Sequence, residues 1–137
     1  MLVVDASAIV ELLLGRPPAE RVAQHFASHG YELHAPQLLD IEVLSALRRV
    51  VAAGDASPAR VGEAVADLLD LRVERYPHEI LVPRIWELRS NFSAYHAAYL
   101  ALAETIADEG APLLTADARF ARAAEAHGGV DVLLAGN

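Results

Sequence analysis

Short, wholly apolar runs alternate along this chain with longer stretches whose apolar residues recur every three or four positions. LVVD at 2–5 is a brief apolar run bounded by a small polar turn, the pattern of a buried parallel strand. Ser7 then caps a short helix through Leu14, ended by Gly15, Pro17 and Pro18. Ala19 to Ser28 reads as a second helix with Val22, Ala23 and Phe26 on its inner face and Gly30 as its stop. ELHA is a weaker strand, closed by Pro36. Gln37 to Ala53 forms a long helix ending at Gly54, and Ser57-Pro58 opens another, with a capping serine and a proline at its first position, that runs to about Leu69. LRVERY alternates like a strand up to Pro77. Glu79 to Arg89 carries a helical stripe of Leu81, Val82, Ile85, Trp86 and Leu88, with Pro83 in its first turn or bending it. A helix starts at Asn91 or Ser93 and runs through about Glu109 to Gly110; PLLT is a strand, Asp117 to His127 a helix and VDVLL a last strand. Such β–α alternation predicts an α/β fold, a short parallel central sheet with helices on both faces.

A length of 137 residues suits one domain, 1–137, with a substantial core. At 54% hydrophobic and 22% charged residues, the chain has enough apolar surface to offset the entropy of ordering, which favours a compact protein over a disordered one. No apolar run approaches the roughly 20 residues that span a bilayer. MLVVDAS lacks a basic region and carries an acid at position 5, unlike a secretory leader, so a cytoplasmic location is expected. Without cysteine there is no disulfide, zinc–thiolate site or thiol nucleophile. The net charge of -8 repels a phosphate backbone at long range, so nucleic-acid binding needs local arginine clusters or bound cations. All 11 basic residues are arginine, and Arg16, Arg48, Arg49, Arg84, Arg89, Arg119 and Arg122 are the candidates for phosphate contact.

Three acids stand in apolar surroundings with no basic partner nearby in sequence: Asp5 in LVVD, Glu42 in DIEVLSAL and Asp117 in LLTAD. Carboxylates beside a core are costly unless paired, protonated or bound to metal. Asp5 and Asp117 each follow a predicted strand, and ligands of open α/β sheets bind at the carboxyl ends of strands. Glu42 sits mid-helix, with Leu38, Leu39, Ser45 and Ala46 as its neighbours one turn away, so it points inward. His96, flanked in the same way by Phe92, Ser93, Tyr99 and Leu100, points inward too.

Each residue also has an ordinary reading. Asp5 and Asp117 can cap the helices that follow them, and a lone histidine is more often a hydrogen-bonded boundary residue than a ligand. Glu42 can snorkel or pair with Arg48 or Arg49, although those arginines are read as lying mostly on other faces of the helix. Ser7 and Thr115 are ordinary turn or cap residues unless the site exists, when their hydroxyls support a carboxylate or a metal-bound water. Glu11, Asp40, Glu104 and Asp108 are read as solvated helix charges, and Phe92, Tyr95, Tyr99 and Trp86 as core packing.

MLVVDASAIVELLL, PQLLDIEVLSALRR, NFSAYHAAYLALAE and APLLTADARFARA resemble, in order and spacing, the four motifs of PIN-domain ribonucleases of the VapC toxin type. The resemblance covers essentially the whole chain. It implies a three-layer PIN-like fold whose acids bind Mg2+ or Mn2+ and cleave RNA phosphodiester bonds. It places catalytic function at Asp5, Glu42, His96 and Asp117, with Asp5, Asp117 and Glu42 as metal ligands and Ser7 and Thr115 in support. It also implies a VapB-type antitoxin over the acidic groove and a homodimer. The amphipathic stretch Pro58 to Leu69, with Val61, Val65, Leu68 and Leu69, offers a partner surface unless it packs in the core.

His96 departs from the family, which usually has aspartate there. A neutral imidazole removes a negative charge and is a poor Mg2+ ligand, better suited to Mn2+ or Zn2+. Weak or absent Mg2+-dependent cleavage is therefore expected, and two classes stay open: a toxin endoribonuclease, or a PIN-fold protein of impaired catalysis acting through antitoxin or RNA binding. A receiver-like or phosphatase domain built on Asp5 ranks behind both, because no DxD follows the first strand and no glycine-rich phosphate loop is present.

Overall fold

The buried run Leu2–Val4 forms β1, the middle strand of a five-stranded sheet in a computed structural model that describes residues 1–136. Its partners are β2 (Leu33–Pro36), β3 (Val73–Tyr76), β4 (Leu113–Thr115) and β5 (Val132–Leu134), in the order β3-β2-β1-β4-β5. All four pairings are parallel. The chain therefore builds outward from β1 through β2 to β3, then crosses back to β4 and β5 on the other side. That reversal opens a crevice at the carboxyl ends of β1 and β4.

Helices cover the sheet. α1 (Ala6–Leu14) packs against α2 (Ala19–Ser28), α3 (Leu38–Ala52) and α4 (Pro58–Asp70). α6 (Ala94–Thr105) lies against β1, β2 and β4 and against the short α5 (Val82–Glu87), while α7 (Ala118–His127) packs on β4 and β5. The core joins Leu2, Val3 and Val4 to Ile9, Leu39, Leu47, Tyr99, Leu100, Leu102 and Leu114, all fully or almost fully buried. This is the expected three-layer α/β architecture.

Local departures from the expected elements have physical causes. α1 begins two residues earlier than expected: Asp5, not Ser7, occupies the position before its first turn. Ser7 is inside the helix with its hydroxyl turned to other partners. α6 stops at Thr105 instead of Glu109, where the Thr105 hydroxyl donates to the Ala101 and Leu102 carbonyls. Glu79–Leu81 is a separate 3-10 turn, and Pro83 sits in the first turn of α5, where a missing N–H costs nothing. Ser57 and Ser93 cap α4 and α6 by accepting from Arg60 N and His96 N.

Several side chains do not follow their sequence reading. Trp86 and Tyr95 are 66% and 59% exposed instead of core residues, whereas Phe92 and Tyr99 are buried. Asp40 is no solvated charge; Arg75 grips it through two bonds of 2.6 and 2.8 Å. Glu104 likewise takes two bonds, 2.8 and 2.9 Å, from Arg84. Along α4, Val61 and Leu68 are core and Val65 is half-buried, so of the four residues offered as a partner surface Leu69 alone is exposed. Among the described residues, no helix is long and apolar enough to cross a membrane.

Candidate active site

A cavity of about 310 Å³ opens at the crevice where the strand order reverses, lined by Asp5, Ser7, Glu11, Glu42, Arg49, His96 and Asp117 among others. Four different elements deliver these groups. β1 leads into Asp5 and β4 leads into Asp117, while α3 contributes Glu42 and α6 contributes His96. The three acids singled out in the sequence therefore meet at one cleft with His96 beside them.

Asp5 is almost fully buried and does not cap α1 with its side chain. Its Oδ2 accepts from the Ser7 hydroxyl at 2.6 Å and the Thr115 hydroxyl at 2.8 Å. Both hydroxyls also reach the loop after β4: Ser7 Oγ accepts from Ala116 N at 2.9 Å and Thr115 Oγ1 from Asp117 N at 3.0 Å. One hydroxyl pair thus fixes the Asp5 carboxylate and the backbone that presents Asp117. Burial pushes the Asp5 carboxyl above its ordinary range; the two hydroxyl bonds and His96 pull it back, and the Asp117 charge adds to the rise.

Asp117 divides its work. Oδ1 caps α7, accepting from Arg119 N at 3.0 Å and Phe120 N at 3.1 Å, so its reading as a helix cap holds for that oxygen. Oδ2 instead faces His96 Nε2 at 3.6 Å. The imidazole lies flat on Phe120, ring centroids 4.1 Å apart and 5° from parallel, which fixes the direction in which its nitrogens point.

Glu42 is the unsatisfied member. Its Oε1 is buried without a hydrogen-bond partner, as is the Tyr99 hydroxyl beside it, and the two do not meet with good hydrogen-bond geometry. Burial raises the Glu42 carboxyl, the Asp5 charge raises it further, and Tyr99 and His96 oppose the shift. The Tyr99 hydroxyl is held far above its ordinary range by burial, then by the charges of Asp5 and Glu42. A buried carboxylate oxygen facing another acid, with no donor, is what a hard divalent cation would satisfy. Chemically the donor set fits such an ion. Spatially it is open: among the described residues, no three His, Asp or Glu side chains already stand close enough to hold one.

Two residues of the cleft stand beside the acids where the sequence pattern did not place them. Arg49, read as facing elsewhere, shares the wall with Glu42; it lies seven positions on, two turns along the same side of α3, a spacing that could have revealed it. Glu11, read as a solvated charge, lines the cleft too and meets Arg16 at 3.5 Å. The other arginines sort by partner. Arg84 is bound by Glu104, and Arg89 lies over the Trp86 ring at 4.4 Å. Arg48, Arg119 and Arg122 make no ion pair among the described residues.

The PIN domain model matches residues 2–126. Over 122 residues the chain is 38% identical to Ribonuclease VapC12 of Mycobacterium tuberculosis, covering 89% of this chain and 91% of that protein. Ribonuclease VapC9 of the same species is 39% identical over 126 residues, 92% of this chain and 93% of the relative. Ribonuclease VapC1 is 39% identical over 122 residues, 88% and 89% of the two chains. With the acids gathered where β1 and β4 end, and relatives matched along nearly their whole length, the chain belongs to the PIN-domain family in its VapC branch.

Proposed function

We propose that this protein is the metal-dependent endoribonuclease toxin of a VapBC-type module, acting in the cytoplasm, with its cleavage weakened by His96. The observation that carries the reading is the convergence of Asp5, Glu42 and Asp117 on one cleft. Asp5, Glu42 and Asp117 would hold Mg2+ or Mn2+, which when bound lowers the pKa of a water and stabilises negative charge on a phosphoryl group. Ser7 and Thr115 keep the Asp5 carboxylate aimed by donating to one of its oxygens. Glu42, otherwise without a partner, orients the attacking water. A VapB-type antitoxin is the partner that covers these acids, and a second copy of the chain completes a homodimer.

One observation favours the second reading, a PIN-fold protein of impaired catalysis acting through antitoxin or RNA binding. His96 stands 3.6 Å from Asp117 and competes with a cation for that carboxylate. RNA cleavage by the natural chain and by His96→Asp, each in Mg2+ and in Mn2+, decides between the two. The expected result is weak cleavage in Mg2+ and stronger cleavage in Mn2+ for the natural chain, with His96→Asp gaining about tenfold or more in Mg2+. Equal and robust Mg2+ activity in both proteins overturns the role given to His96. No cleavage under any of the four conditions leaves the binding reading in place of the nuclease.

A further inference from the structure

A second cavity, of about 270 Å³, adjoins the catalytic cleft and shares Glu42 and Arg49 with it. Its remaining walls are Leu38, Ile41, Ser45 and Tyr95. Tyr95 immediately precedes His96 on α6, yet its ring is turned out of the core and largely exposed. Ile41, on the first turns of α3, is exposed too. Arg49 is unpaired: its guanidinium donates only to the Ser45 hydroxyl, at 3.3 Å, and no carboxylate stands within ion-pair distance among the described residues.

An aromatic face, an apolar floor and an unpaired guanidinium beside an acidic centre form a combination with a specific chemical match. A base stacks on any aromatic ring, and single-stranded nucleic acid is held by such platforms together with cations that follow the backbone. The geometry points to a nucleotide subsite beside the cleft, in which Tyr95 stacks an unpaired base of the RNA and Arg49 binds an adjacent phosphate. This inference rests on the nuclease reading for its substrate class and requires an unpaired base at this position, because a base inside a duplex offers no free face. Charge favours RNA over a protein segment here. A partner that matches the acids of the cleft is basic and is repelled by Arg49, whereas a phosphate is attracted.

The test measures binding separately from cleavage. Fluorescence anisotropy with a labelled mixed-sequence RNA of about 12 nucleotides, single-stranded or annealed to its complement, is read for the natural chain, Tyr95→Ala, Tyr95→Phe, Arg49→Ala and Arg49→Lys in chelator. Circular dichroism confirms that each variant is folded. The single strand is expected to bind more tightly than the duplex. Tyr95→Ala weakens binding of the single strand by about tenfold or more, and Tyr95→Phe restores it. Arg49→Ala lowers the slope of log affinity against log salt by about 0.7, which Arg49→Lys recovers in part. Unchanged binding in Tyr95→Ala and Arg49→Ala overturns the subsite and assigns this surface to a protein partner. Equal affinity for duplex and single strand, or no RNA binding by the natural chain, also overturns it. If the variants lose binding while the natural chain never cleaves, the subsite stands and the nuclease reading falls. If the natural chain cleaves and the variants keep their KM, the reverse holds.

Discussion

Three carboxylates of one cleft live in three environments, and their differences are settled by single atoms. Asp5 is buried but supplied with two hydroxyl donors, and Asp117 spends one oxygen on a helix end. Glu42 has a buried oxygen and no donor, so without a cation its charge is the least supported. Its folded-state carboxyl is raised by burial. As pH climbs through the ordinary carboxylate range, the unfolded chain therefore releases this proton before the folded one does, so the folded state binds more protons and stability falls with rising pH. The cost is absent below the ordinary value and complete above the raised one. Glu42→Gln removes that dependence. In chelator at neutral pH the variant is expected to melt above the natural chain, by about 2 to 4 °C for each ~1 kcal/mol relieved. The gap should close as the pH is taken below about 4. A variant that melts lower throughout would show that Glu42 is satisfied in a way these contacts do not reveal. The inward direction of Glu42 was legible from its neighbours one turn away. Arg49 is less legible, because it lies beyond the one-turn neighbours of Glu42 and returns to the same wall only after two turns of α3.

At the scale of elements, the periodicity located every strand and nearly every helix. Apolar runs of three or four residues have no alternative to burial in the middle of a parallel sheet. Helix ends were less legible, because capping depends on where the chain goes next. Gly110 was read as the stop of α6, but the helix ends at Thr105 and residues 106–110 turn so that Ala111 N reaches the Ala103 carbonyl at 2.7 Å. Gly110 has another task. It sits at φ 79°, and a Cβ there would meet the Gly129 carbonyl oxygen and Val130 Cγ1, each at 3.3 Å. This turn is the approach to β4, which leads to Asp117. Gly110→Ala is expected to cost about 1 to 2 kcal/mol from the left-handed backbone and the close carbonyl together. Urea denaturation should show a lower midpoint with an unchanged slope. A midpoint equal to that of the natural chain would mean that the turn can relax without disturbing the strand.

For the whole molecule, the order β3-β2-β1-β4-β5 does what no local pattern specifies: it sets two strand ends, separated by more than a hundred residues of sequence, side by side. Nothing in the runs LVVD or LLTAD says that they are neighbours; the position of Asp5 and Asp117 after strands points only to a shared crevice, and the parallel pairing of Val3 with Leu113 and Val4 with Leu114 is what sets them side by side. The consequence is electrostatic. A chain of net charge -8 folds so that several acids share one cleft with a single imidazole, and the Asp5 carboxyl is already raised by its burial and by Asp117. An ion that binds only the folded state relieves this strain and stabilises the fold by RT ln(1 + [L]/Kd). Melting curves in chelator, Mg2+ and Mn2+ should therefore separate. Mn2+ is expected to raise Tm by several degrees and Mg2+ by less, because the imidazole of His96 offers the cleft a nitrogen donor, which suits Mn2+ better than Mg2+. Asp5→Asn should flatten both responses while its own melt in chelator stays cooperative. A Mn2+ shift that survives Asp5→Asn would place the ion elsewhere on the acidic surface, and the cleft would then owe its acids to something other than metal.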